Sequence, residues 1–272
     1  MTVIECNWTA PCKGFTISDR EVHIWRGNLN LPACRIQQLS QSLSPEEKEK
    51  ADRFCFENDR VYFIACRGLL RLVLGYYLKK DPIDLRFLYS SRGKPALDSS
   101  SLDGRLSFNI SHSNGLALFA VAYNRSVGID LEMTRPLSDI DQLAEFFFSH
   151  REYSVLSCLP PEQKIATFFN SWTLKEAYLK ATGEGLEELR KVEVIFTSRG
   201  SEGILSIQAD THANNFWSAY VLNLQPGYAS ALVIEETNLP VCIGNNGVSR
   251  KGDNMLRKDR IRFFKVSHLL DL

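Results

Sequence analysis

The segment VGIDLE (127–132) sets Asp130 and Glu132 one residue apart among apolar neighbours. Alternate side chains of a strand share a face, so the two acids project one way while Val127, Ile129 and Leu131 project the other. Two carboxylates this close repel, and the arrangement is stable only with a cation between them or water over them. Oxygen donors of this kind suit a hard cation, Mg²⁺ or Mn²⁺, completed by a third ligand or by substrate oxygens. A bare D-x-E pattern, however, is more commonly the solvated face of an edge strand.

Three further stretches carry groups able to do chemistry. In WTLKEAYLK (172–180), Trp172, Glu176 and Lys180 recur at helical spacing, with Lys175 beside the stripe. A surface Glu–Lys pair of this spacing is worth only about 0.3–0.5 kcal/mol, but the neighbouring Phe168, Phe169, Leu174 and Leu179 place this stripe at the edge of a cleft. In SFNISHSNG (107–115), Ser111 and Ser113 flank His112 ahead of Gly115, a set of small donors suited to phosphate oxygens. A lone histidine is as readily a structural one. SRGKPAL (91–97) presents Lys94 on a Gly-Lys-Pro turn. A Walker loop, a G-x-G-x-x-G turn and a nucleophile elbow are all missing, which argues against the common nucleotide-binding folds and hydrolases.

The elements that must position these groups are legible in outline. Ser44 and Pro45, followed by Glu46 and Glu47, signal a helix start in LSPEEKEKADRF (43–54). Helical periodicity runs through 60–78, over about 138–158, and from Pro161 to Thr182, where the glycines of ATGEGL end it. A short apolar stretch at 22–27 precedes the helices, strand patterns at 85–90, 105–111, 115–123 and 127–132 read as an antiparallel meander after the first long helix, and four more strands follow residue 190. The order of elements is similar before and after Arg125. The expectation is an α+β fold of two similar subdomains in pseudo-twofold arrangement, 1–125 and 126–237, each a long helix packed on a small antiparallel sheet, with the ligand in the cleft between them.

The 272 residues carry 32 basic and 32 acidic side chains and are 44% hydrophobic. Such a chain buries a sizeable core and has no global field to draw nucleic acid or an acidic membrane. Seven scattered cysteines form no zinc pattern and fit reduced thiols, and no apolar run is of signal or spanning type. A cytoplasmic protein that binds neither nucleic acid nor membrane is expected. Residues 238–272 hold seven Lys or Arg against three Asp and read as a solvated or disordered basic tail.

Taken in order, GKP, FNISHS, VGIDLE and FFNSWTLKEAYLKATGEGL resemble the 4′-phosphopantetheinyl transferases, specifically the monomeric two-half class, over roughly residues 43–235. FFFSHREYSVL between the last two is similar to the connecting helix of that family. The resemblance implies transfer of the phosphopantetheine arm of coenzyme A to a serine of an apo acyl or peptidyl carrier protein, releasing 3′,5′-ADP. It implies Asp130, Glu132 and Glu176 as ligands of Mg²⁺ (or Mn²⁺), and Lys180 as the group that stabilises or protonates the leaving phosphate. Glu176 would be the base for the carrier serine, directly or through a metal-bound water. His112 with Ser111 would hold the pyrophosphate or the 3′-phosphate region, Lys94 would contact the nucleotide, and Lys50 would join the 3′-phosphate clamp, although Glu47 stands where that family can carry a lysine. Aromatic residues at 146–148 and the strand at 115–123 would receive the carrier. The rival readings are a metal-dependent phosphoesterase and a non-catalytic coenzyme A-binding module.

Overall fold

The computed structural model describes residues 3–11, 16–98, 105–196, 205–208, 216–236 and 260–270. The chain enters through two short strands, β1 (Val3–Glu5) and β2 (Trp8–Thr9), then β3 (Val22–Asn28). Two short helices, α1 (Ala33–Gln41) and α2 (Pro45–Asp52), lead to the 22-residue α3 (Glu57–Leu78). Ser44 caps α2 as its spacing predicts: its hydroxyl accepts the Glu47 N–H while the Glu47 carboxylate accepts the Ser44 N–H. There follow a small hairpin of β4 (Phe87–Tyr89) and β5 (Pro95–Leu97), then β6 (Leu106–Ser113), β7 (Leu116–Tyr123) and β8 (Val127–Met133).

The second half repeats the order. The stretch expected as one helix over about 138–158 is two, α4 (Ile140–Phe147) and α5 (His150–Ser157), because Ser149 and Glu152 form a fresh capping box between them. Then comes α6 (Pro161–Thr182), begun by a proline at its first position and closed by Gly183 at φ +82°, whose N–H bonds the Leu179 carbonyl at 2.8 Å. The strands β9 (Glu193–Phe196), β10 (Leu205–Gln208), β11 (Phe216–Asn223), β12 (Tyr228–Glu236) and β13 (Ile261–Lys265) complete the chain.

The α+β class and the two-half plan hold. One sheet runs β2-β13-β3-β7-β6 and carries α3; the other runs β1-β11-β12-β8 and carries α6. The inner faces of the two sheets meet in a common core of Val22, Ile24, Leu118, Ile129, Leu131, Leu232 and Phe263 with their neighbours. Helix α3 is apolar and long enough to cross a membrane, yet its apolar side lies against Trp25, Phe119 and Val121, as in the core helix of a globular unit.

Three expectations change. The meander breaks up: β6 pairs with β7, β4 with β5, and β8 leaves for the second sheet to pair with β12. The sheets are mixed, since β1 runs parallel to β11, and β13 parallel to β2 and β3. The two ends of the chain are exchanged between halves, with β1 at the edge of the second sheet and β13 inside the first. The basic-tail reading therefore fails where the tail is described: Ile261, Phe263, Phe264, Val266 and Leu269 are buried while Arg262 and Lys265 point outward. The charges of RIRFFK alternate with apolar residues, which is the pattern of a half-buried strand rather than of a solvated arm. Residues 237–259 lie outside the described residues.

Each of these five apolar side chains contributes about 1.5–3 kcal/mol by its burial, and a domain's whole stability is about 5–15 kcal/mol. A chain ending at residue 259 is therefore expected to lose cooperative folding; circular dichroism and solubility of this truncation check it.

Candidate functional site

The site lies where β8 passes beneath α6. Gly128 makes this passage possible: a Cβ there would stand 1.9 Å from the Ala177 carbonyl oxygen and 2.6 Å from the Ala181 nitrogen. The two backbones approach closely because residue 128 has no side chain. On one side of β8, Val127, Ile129 and Leu131 fill the core between the sheets. On the other, Gly128, Asp130 and Glu132 face the helix, where Glu176 and Lys180, one helical turn apart, adjoin the contact residues Ala177 and Ala181.

Asp130 is almost wholly buried, at 2% exposure. Its Oδ1 accepts from Lys180 Nζ at 2.6 Å and from Ser111 Oγ at 2.8 Å, while Oδ2 is buried with no hydrogen-bond partner. Glu132 is half-buried and accepts from Ser113 Oγ at 3.1 Å. Burial and the Asp130 charge push its carboxyl above the usual range. Glu176 is driven further, from 4.5 to about 7, by burial first and then by Asp130, with Glu132 adding and Lys180 opposing. Three acids thus share one electrostatic neighbourhood with the Lys180 ammonium. Among the described residues no three His, Cys, Asp or Glu side chains already form a closed metal-binding group. The donor set nevertheless fits a hard cation: all carboxylate, mutually repelling, and with an inward oxygen of Asp130 left unpartnered.

His112 points to the opposite face of β6 and is exposed; its partly desolvated surroundings and the Lys180 charge hold its imidazole below the usual range. Ser111 is buried between β6, β8 and α6. Its single proton goes to Asp130, and its oxygen accepts from the Leu131 N–H at 3.2 Å and from Lys180 at 3.1 Å, so its bonding capacity is used. Lys94 reaches α6 rather than open solvent, donating to the carbonyls of Lys180 and, at 3.2 Å, Ala181. Beside it Arg92 donates to the Gly183 carbonyl at 3.2 Å and pairs with Glu187 at 2.7 Å. Two cations from the β4–β5 hairpin thus cap the negative end of α6. Lys50 is exposed, its ammonium 5.5 Å from the centre of the Phe63 ring.

Several supports had no obvious motif. Glu47 is buried against Arg71, at 2.7 Å, and Arg67, at 3.1 Å, so it anchors α2 to α3 and cannot serve an anion. The signal was available: two arginines one helical turn apart inside an apolar helix need a buried acid. Lys175 is likewise wholly buried, pairing with Glu152 at 2.7 Å, while Glu152 also accepts the N–H groups of Ser149 and Val194. This hub locks α5, β9 and α6 together directly beside Glu176. Asn109 and Ser113 are also structural, accepting the Ile129 and Met133 N–H groups of β8.

Residues 126–233 match the family model described as the 4′-phosphopantetheinyl transferase superfamily, and residues 32–124 match the model described as 4′-phosphopantetheinyl transferase, N-terminal. The chain is 46% identical over 195 residues to the 4′-phosphopantetheinyl transferase HetI of Nostoc sp. (strain PCC 7120), covering 72% of this chain and 82% of that protein. It is 30% identical over 205 residues to the 4′-phosphopantetheinyl transferase Sfp of Bacillus subtilis, covering 75% and 87%. A human L-aminoadipate-semialdehyde dehydrogenase-phosphopantetheinyl transferase is 32% identical over 163 residues, 56% of this chain and 52% of that protein.

In the metal-free protein, a carboxyl-resolved NMR titration should place the Glu176 midpoint near 7, and Asp130→Asn should lower it by removing a repelling charge. Because the folded protein holds this proton more tightly than the unfolded chain, the stability it contributes is complete below 4.5 and lost as pH rises to about 7. Thermal denaturation should therefore show a falling contribution across that window, absent in Glu176→Gln.

Proposed function

Since this chain belongs to the 4′-phosphopantetheinyl transferase superfamily, we propose that it moves the 4′-phosphopantetheine group of coenzyme A onto a serine hydroxyl of an apo acyl or peptidyl carrier protein, releasing 3′,5′-ADP. The observation that carries the reading is the Asp130–Lys180–Glu176 arrangement under α6, in which one ammonium serves three acids and one buried carboxylate oxygen stays open. Asp130, Glu132 and Glu176 would hold Mg²⁺ (or Mn²⁺), which when bound neutralises the acids and the charge on the pyrophosphate.

The chain's own groups account for the rest. The serine oxygen of the carrier forms a bond to the β-phosphorus of coenzyme A while the bond from that phosphorus to the bridging oxygen breaks. The serine proton passes to Glu176, directly or through a water that it holds. Lys180, held at the site by Asp130 and Ser111, neutralises or protonates the oxygen of the departing 3′,5′-ADP. Phosphoryl transfer needs little else beyond positioning and charge neutralisation. His112 lies close enough to feel the Lys180 charge, which supports its contact with the phosphates. Lys94 and Arg92 serve first by fixing the end of α6 that carries Lys180; Lys50, exposed on α2, remains the candidate for the 3′-phosphate. Both halves of the site lie in this one chain, so a monomer would suffice.

Incubation with coenzyme A, Mg²⁺ and a panel of apo carriers should add one phosphopantetheine mass to a carrier serine. Release of phosphopantetheine with every carrier left unmodified would instead make the protein a hydrolase. Glu176→Gln should lower kcat by about 10²- to 10⁴-fold and Lys180→Met by about 10²- to 10³-fold, measured by carrier mass at saturating substrates.

A further inference from the structure

The joint between the two halves has an unusual construction. Strands β6 and β8 border the two sheets and run side by side, but they belong to different sheets. What links them is a row of side chains from β6 to backbone amides of β8. Asn109 Oδ1 accepts the Ile129 N–H at 2.9 Å, Ser111 Oγ the Leu131 N–H at 3.2 Å, and Ser113 Oγ the Met133 N–H at 3.0 Å. The three rungs share one register, each joining residue i of β6 to residue i+20 of β8. In two of them the same hydroxyl gives its proton to the acid just before that amide: Ser111 to Asp130 at 2.8 Å and Ser113 to Glu132 at 3.1 Å. The third rung has Gly128 in the acid's place, and there α6 crosses.

N-x-S-x-S on β6 and G-x-D-x-E on β8 are thus one device split across the joint. The period of two on each strand keeps the partners in register. A hydroxyl that is tied on its acceptor side to a fixed amide has its proton direction restricted, so the carboxylate it serves is restricted as well. We propose that Ser113, with Ser111, is a positioning residue that sets the carboxylate geometry of Glu132 and Asp130 for a divalent cation, while Asn109 supplies the joint alone. This rests on the metal site of the proposed function. Loss of such an outer partner typically weakens metal binding by about 10- to 100-fold.

Mn²⁺ titration followed by electron paramagnetic resonance, with amide hydrogen exchange on the metal-free protein, tests the proposal. Ser113→Ala is expected to weaken Mn²⁺ binding about tenfold and to speed exchange at Met133 while leaving Leu131 protected; Ser113→Thr, which keeps the hydroxyl, should restore both. Asn109→Ala should speed exchange at Ile129 with Mn²⁺ affinity unchanged. The proposal is overturned if Ser113→Ala binds Mn²⁺ like the unaltered protein, or if Asn109→Ala weakens binding equally, since the joint alone would then be responsible. If the unaltered protein binds no Mn²⁺, the metal site fails first, and unchanged exchange at Met133 in Ser113→Ala would still overturn the rung.

Discussion

The rest of the site depends on a contact with no side chain in it. The backbone of α6 rides over β8 at Gly128 so closely that a methyl group would overlap the Ala177 carbonyl. From that crossing, a turn of helix and four residues of strand are enough to bring Lys180, Glu176, Asp130 and Glu132 together. Everything nearby holds the crossing in place. Lys94 and Arg92 fix the end of the helix from the other half of the molecule, the Glu152–Lys175 pair fixes it from α5 and β9, and Leu174, Ala177 and Tyr178 pack it on the sheet with Ala231 and Val233.

The cost of the arrangement is electrostatic. Asp130 is buried with only one of its oxygens bonded, and Glu176 holds a proton near neutrality because it faces two other acids in a desolvated place. Such a site is poorly satisfied by protein groups alone. Buried carboxylates need compensation, and here one lysine and two serine hydroxyls supply part of it. The remainder corresponds to what the divalent cation and pyrophosphate of the proposed function would bring.

The two halves are bound together by more than the cleft. Their sheets share a core, their terminal strands are exchanged, and their facing borders are stitched through Asn109, Ser111 and Ser113. In two of the three rungs a β6 serine also serves an acid of β8, so the proposed metal site draws on both halves. For the proposed chemistry, rigid coupling of the halves would keep the charged groups preorganised.

Much of this is legible in the residues themselves. Period-two and period-3.6 patterns, the Ser44 cap and the prolines and glycines at helix ends identified both long helices and most strands, since these signals act over a few residues. The acids of VGIDLE and the Glu176–Lys180 stripe were legible for the same reason. Only the tertiary structure decided that β8 leaves the meander, that RIRFFK is a strand inside the first sheet, and that Glu47 and Lys175 are buried ion pairs. It also decided that the serines of FNISHS serve a neighbouring strand and its acids. Those outcomes turn on pairings between residues tens to hundreds of positions apart, and a local pattern specifies which face a side chain takes but not what it will meet there.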